Sequence, residues 1–282
     1  MVLDKDTREE IKEFIRQKPR TVQEVSQKVG RSWRTADRYL EKMENEEGYI
    51  ARRTFRKGTR GALKIAYWNN INSFSSSKVQ EQLLRKIESG REKEDFSPFD
   101  IYQCADDEER RAFMEKQSED NVEAKHDIFT LLRQAQDRIM FFSGDLSWVN
   151  LTHRGEESLE VFRELSNDGV NLFFLGRVDT GSMKNAEKMF DFKKSLEDDN
   201  IKIRHSEQPL RAFIVDDKLV QLKEMRKSEK KNSSSRKYLF YEIGDEKWVK
   251  WLQKVFWKLY RGSMPGEKRI EDLRTIKNME RL

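Results

Sequence analysis

The side chains of this chain best suited to engage another molecule are a run of cations: Arg52, Arg53, Arg56, Lys57, Arg60 and Lys64. Between Gly48 and Asn70 these six stand with no Asp or Glu among them, although acidic residues are dense elsewhere. Such a row suits a phosphodiester backbone, because each cation that meets a phosphate releases condensed counterions. The run also has hairpin grammar. An alternating stretch over residues 49–55 meets a turn containing Gly58 and Gly61, and a second apolar-rich stretch follows over 62–68.

Three helical segments precede the hairpin and must position it. Ile11, Phe14 and Ile15 mark one face of the first, which ends before Pro19. Thr21 and Glu24 form a capping box that opens a second helix with Val22, Val25 and Val29, and Gly30 ends it. Ser32 caps a third, whose Ala36, Leu40 and Met43 share a stripe. Arg34 and Arg38 lie off that stripe at i and i+4. With Arg31, Ser32, Thr35 and the helix N-terminus they can address phosphates and base edges in a major groove. Trp33 has two readings, a core residue or a DNA contact. Helix, glycine turn, helix and basic hairpin is the layout of a winged helix-turn-helix. Residues 21–40 resemble archaeal and bacterial winged helix-turn-helix regulators, a resemblance that covers about 70 residues and implies double-stranded DNA as partner.

Composition divides the chain in two. Of 282 residues 38% are charged and 36% hydrophobic, and the formal net charge is +5. Residues 1–70 hold 17 Lys or Arg and 11 Asp or Glu, a net of +6, so the remaining 212 sum to −1. The basicity belongs to the N-terminal part. A single cysteine, Cys104, excludes a disulfide framework and a cysteine-rich zinc site. His126, His153 and His205 lack metal-ligand spacing, so no metal and no cofactor are expected. No apolar stretch approaches a membrane span and no signal peptide is visible, so a cytoplasmic protein without membrane contact is expected.

Residues 69–77 read as a flexible linker, followed by a short amphipathic helix with Val79, Leu83, Leu84 and Ile87 on one side. That side could pair with a second chain, making a homodimer, or pack on its own body. Residues 90–105 read as irregular and 106–136 as helical. From Arg138 onward strands and helices alternate. Strands are expected at 138–143, 170–175, 201–205, 212–215, 219–222 and 238–243, and the Ser-rich 226–237 as a basic loop. Trp248, Trp251, Leu252, Val255, Phe256, Leu259 and Tyr260 keep helical spacing and mark a core-facing stripe. Ile270, Leu273 and Ile276 give the tail a thin apolar edge.

This order, with residues 210–218 near its end, looks like the phospholipase D-like domain of TrmB-type transcriptional regulators. Active members of that superfamily carry a His-x-Lys-x-x-x-x-Asp motif with a nucleophilic histidine. With Asp216 at the Asp position, Arg211 takes the Lys position and Pro209 the His position. Proline has no nucleophile, so covalent phosphoryl catalysis is expected to be absent. The resemblance implies a domain that senses a small molecule, often a sugar, with Arg211 and Asp216 as candidate effector contacts.

The expected fold is multidomain α+β. A winged helix-turn-helix domain covers residues 1–70, and a linker and helical connector 71–137. A catalytically degenerate α/β sandwich covers 138–262, and a charged helix 263–282. The expected function is sequence-specific DNA-binding transcription regulation, not enzymatic. The alternative is a nuclease or phosphodiesterase of the phospholipase D superfamily recruited by its DNA-binding arm.

Overall fold

The computed structural model describes residues 3–47, 50–56, 62–68, 76–117, 127–196, 200–227 and 236–279. Among these, the N-terminal module begins with α1 (Lys5–Gln17), capped by Asp4, whose carboxylate accepts from the Thr7 amide at 2.8 Å. A two-residue β1 (Arg20–Thr21) leads into α2 (Val22–Lys28). The capping box is complete: the Thr21 hydroxyl accepts from the Glu24 amide at 3.1 Å, and the Glu24 carboxylate accepts from the Thr21 amide at 2.6 Å. Gly30 turns the chain with φ +61°, and α3 (Trp33–Glu47) follows. Strands β2 (Ile50–Arg56) and β3 (Ala62–Trp68) then form an antiparallel hairpin, and β1 adds to the far side of β3. Ile11, Ile15, Val25, Ala36, Leu40 and Met43 close the module's core.

The rest of the chain is α4 (Ser76–Ser89), α5 (Phe99–Tyr102), β4 (Arg110–Gln117), α6 (Ile128–Leu132) and β5 (Arg138–Phe142). A small hairpin of β6 (Thr152–His153) and β7 (Glu156–Glu157) precedes α7 (Ser158–Asn167), β8 (Asn171–Gly176), α8 (Met183–Lys194) and β9 (Ile201–His205). Strands β10 (Ala212–Val215), β11 (Leu219–Lys227) and β12 (Arg236–Ile243) are followed by α9 (Glu246–Arg261), β13 (Met264–Pro265) and α10 (Gly266–Met279). Eight of these strands form one mixed sheet in the order β13-β9-β8-β5-β10-β11-β12-β4. The β9–β8–β5 pairs are parallel and the others antiparallel.

The sheet is covered on both faces, so its central strands are buried throughout. One core gathers Phe142, Tyr241, Trp248, Leu252 and Phe256 with α4 and α5. The other gathers Phe141, Phe174 and Phe213 with α6, α7, α8 and α10. The tryptophan stripe of α9 therefore packs as its spacing predicts.

Three expectations are corrected. Residues 106–136 are not a helix, because 110–117 form the edge strand β4 and α6 holds only five residues. Along this edge Ala112 and Met114 meet the α4/α9 core, while Phe113 turns to the other face and stacks on Phe240 at 5.2 Å, and Arg111 is exposed. The α/β body consequently begins well before residue 138. Helix α4 buries Leu83 and Ile87 in the same core as α9, so its apolar side packs on its own body rather than on a second chain. Of the expected linker, residues 69–75 lie outside the described residues, and Ser76 already opens α4.

Asp216 holds the turn between β10 and β11 in place. Its carboxylate accepts from the amides of Gln136, Asp137 and Arg138 at 2.9–3.0 Å, and its φ is +45°. The Gln253 side chain donates to its carbonyl at 2.6 Å, tying α9 to the same turn. Burial opposes its charge, but the three amides outweigh burial and its pKa falls below the ordinary value. Asp216→Ala strands three amides at once and should cost about 3 kcal/mol in urea denaturation. A loss within about 0.5 kcal/mol, typical of a surface side chain, would contradict this role.

Candidate nucleic-acid interface

The N-terminal end of helix α3 carries its arginines. Arg31, Ser32, Arg34 and Arg38 are exposed, and Thr35 is half-buried. The Ser32 hydroxyl accepts from the Thr35 amide at 3.2 Å, which caps the helix as the sequence predicts. Trp33 is 39% exposed, which settles its two readings in favour of the surface. The Lys64 ammonium stands 5.3 Å from its ring centroid. Among the described residues, Arg31, Arg34 and Arg38 make no ion pair.

Three acids of α3, Asp37, Glu41 and Glu44, turn instead toward the hairpin. Arg52 Nε meets Glu44 at 2.7 Å, while its two terminal nitrogens meet Asp37 and Glu41, both at 3.2 Å. Its own backbone amide donates to Glu44 at 3.0 Å. Burial works against this guanidinium, but the Glu44 and Glu41 carboxylates outweigh it and raise its pKa. Lys64 Nζ lies 2.5 Å from Asp37. Arg53 pairs with Asp107 at 3.6 Å and stacks 5.1 Å from the Tyr102 ring, which Arg110 also approaches at 5.0 Å.

Arg52, Arg53 and Lys64, expected to meet phosphates, are each paired with carboxylates of the chain itself. Their partners lie far along the sequence, so a window that holds only cations conceals them. Lys57, Arg60 and the side chain of Arg56 lie outside the described residues.

The hairpin and α2 also touch the α/β body. Ile65 joins the core that holds Phe99 and Tyr102, and the Tyr67 and Phe99 rings lie 4.8 Å apart. Arg226 bridges the Glu24 capping carboxylate at 3.1 Å and Glu224 at 2.8 Å. Tyr241 completes the set by donating its hydroxyl to Glu224 at 2.7 Å. Sequence reading placed Arg226 in a loop. It lies on β11, and only its partner 202 residues away shows its role.

A second group gathers at the carboxyl ends of β5, β8 and β9, where open α/β sheets commonly form crevices. The Arg211 guanidinium lies directly on Gly144, where a Cβ would collide with it. It donates to the carbonyls of Leu210 at 2.7 Å and Gln208 at 3.2 Å. Burial lowers its pKa, and Asp145 works in the other direction. Pro209 packs against Gly90 of the α4–α5 connector, and Arg177 pairs with Glu92 of that connector at 2.6 Å. His205 Nδ1 accepts from the Val178 amide at 2.9 Å, and burial, helped by Arg269, pushes its pKa down toward the neutral imidazole.

Asp216 stands at the opposite end of β10 from Arg211, five residues of extended chain or roughly 16 Å away. The expected Arg211–Asp216 effector pair is thus not brought together. Lys223, missed by sequence reading, comes nearer to Arg211, since its amide donates to the Arg211 carbonyl at 2.7 Å. Its side chain is exposed, and its ammonium sits 4.1 Å from the Tyr238 ring. Cys104 is half-buried, and burial raises its thiol to about 11, an unreactive value.

No family model matches the chain, and no curated protein matches it in sequence. Among solved structures it is similar to the archaeal chromatin protein TrmBL2, described with a novel mode of DNA binding. Identity is 13%, coverage 87% of this chain and 88% of that one, and the TM-score 0.38. It is also similar to Nuc of Salmonella typhimurium, a phospholipase D family member, at 11% identity, 56% and 98% coverage, and a TM-score of 0.38. NucT from Helicobacter pylori gives 11%, 55% and 99%, and 0.36. Likenesses this distant carry no functional argument.

Two outcomes follow from the geometry. Arg52→Ala leaves Asp37, Glu41 and Glu44 facing one another and should destabilise the module by about 2–4 kcal/mol in chemical denaturation. Arg34→Ala should change it by less than about 0.5 kcal/mol, and equal effects would contradict this difference in pairing.

Proposed function

We propose that this chain is a duplex-DNA-binding transcription regulator whose N-terminal module is a winged helix-turn-helix. Its third helix enters a major groove and places Arg34 and Arg38 against base edges, with Arg31, Ser32 and Thr35 on flanking phosphates. The observation that carries this reading is the division of ion pairs on α3. Asp37, Glu41 and Glu44 are spent on the hairpin base, while the arginines face water without ion pairs among the described residues.

The wing's share falls to Arg56, Lys57 and Arg60, because Arg52, Arg53 and Lys64 are already engaged. We assign the α/β body to the degenerate phospholipase D-like class, with a small-molecule effector, if one is bound, on the Arg211 side. A homodimer would need a surface other than the apolar side of α4, and a cytoplasmic location accompanies the regulator reading. The nuclease alternative is disfavoured. Pro209 supplies no nucleophile, and His205 Nδ1 is committed to a backbone amide.

Fluorescence anisotropy with a duplex oligonucleotide tests the proposal. Arg34→Ala with Arg38→Ala should weaken binding by about ten- to a hundredfold, the usual worth of lost base-edge contacts. Unchanged affinity and salt dependence would overturn it. Metal-independent DNA cleavage that disappears in His205→Ala would revive the enzyme.

A further inference from the structure

Helix α9 carries a feature that the regulator reading does not use. Its inner side is entirely committed to the core, with Trp248, Trp251, Leu252, Val255 and Phe256 all buried. Its outer side exposes Lys247, Lys250, Lys254, Lys258 and Arg261. At 3.6 residues per turn these five fall within one stripe about 80° wide and about 21 Å long.

Every other long helix of the α/β body that faces water mixes signs along its outer side. On α7 Glu160 neighbours Arg163, on α8 Lys188 neighbours Asp191, and on α10 Lys268 neighbours Glu271 and Asp272. On α9 the one acid is Glu246 in the first turn, where it pairs with Lys250. Lys258 takes a partner from α4, Glu88, at 2.6 Å. Lys247, Lys254 and Arg261 make no ion pair among the described residues. A solvated helix gains from alternating charge at i and i+4, so five like charges on one stripe forgo that gain. Half-buried Trp257 borders the stripe and stacks edge-on against Phe173 at 5.0 Å, offering a flat apolar ledge beside the cations.

We infer that the α9 ridge is a second, sequence-independent contact for the phosphate backbone of duplex DNA, separate from the α3 reading surface. Over its 21 Å a duplex carries about a dozen phosphates, enough to face every cation of the ridge. An anionic membrane is the poorer partner. Interfacial helices bind by sinking an apolar face into the lipid, and the apolar face of α9 is already buried. The inference rests on the regulator reading, since it assigns the ridge to the same polyanion.

The test measures full-length protein on a non-specific duplex over a series of salt concentrations, by anisotropy. Lys247→Gln, Lys254→Gln and Arg261→Gln are combined, all exposed, so the fold should persist with an unchanged melting temperature. The slope of log affinity against log salt should shrink by about 2–3, close to 0.9 per lost phosphate contact. An unchanged slope, with binding still lost in Arg34→Ala/Arg38→Ala, overturns the ridge and leaves the regulator reading standing. If the wild type binds no duplex at all, both fall. Vesicles of phosphatidylserine and phosphatidylcholine are the companion probe. Vesicle binding that the triple variant loses, with an unchanged DNA slope, gives the ridge to a membrane and overturns the inference.

Discussion

The arrangement depends on where helix α3 sends its carboxylates. Asp37, Glu41 and Glu44 converge on one guanidinium, Arg52, and Asp37 also holds Lys64. That clamp fixes the hairpin against the helix. It also ties up three acids of α3 in ion pairs with the hairpin, while Arg34 and Arg38 of the same helix make no ion pair among the described residues. Were those acids turned outward, the helix would repel a polyanion, and the hairpin base would have no anchor.

The module is not a free appendage. Its hairpin shares a core with Phe99 and Tyr102, and its α2 cap is bridged by Arg226. Glu24 therefore serves two elements at once, capping α2 through the Thr21 amide and receiving an arginine from β11. The same strand carries Lys223 beside Arg211, only three residues from Arg226. The strand-end crevice thus lies about 10 Å of strand away from the contact that seats the N-terminal module. The energetic weight of that bridge is considerable, because buried charges that lose a partner are costly.

Local pattern made much of this legible. The capping box of α2, the Ser32 cap of α3, the glycine turn and the hairpin all follow from short spacings, and each is present. So is the α9 stripe, because seven aromatic and aliphatic residues at helical period admit one geometry. Longer-range facts were not legible. The clamp joins residues 8 to 27 apart, the Asp107 and Glu24 contacts join residues 54 and 202 apart, and no window of composition displays them. Strand β4 was misread because an edge strand can carry as many charges as a surface helix. Asp216 was misread because its motif position suggested a cleft, whereas its carboxylate caps three amides at the other end of the strand.

The most direct measurement of the central claim is ultraviolet cross-linking of the full chain to duplex DNA, followed by mapping of the modified peptides. The account predicts adducts within residues 31–38, with Trp33 prominent because its exposed indole lies beside the arginines. Adducts confined to the α/β body, or placed on Arg52 and Arg53 while residues 31–38 stay unmodified, would contradict it.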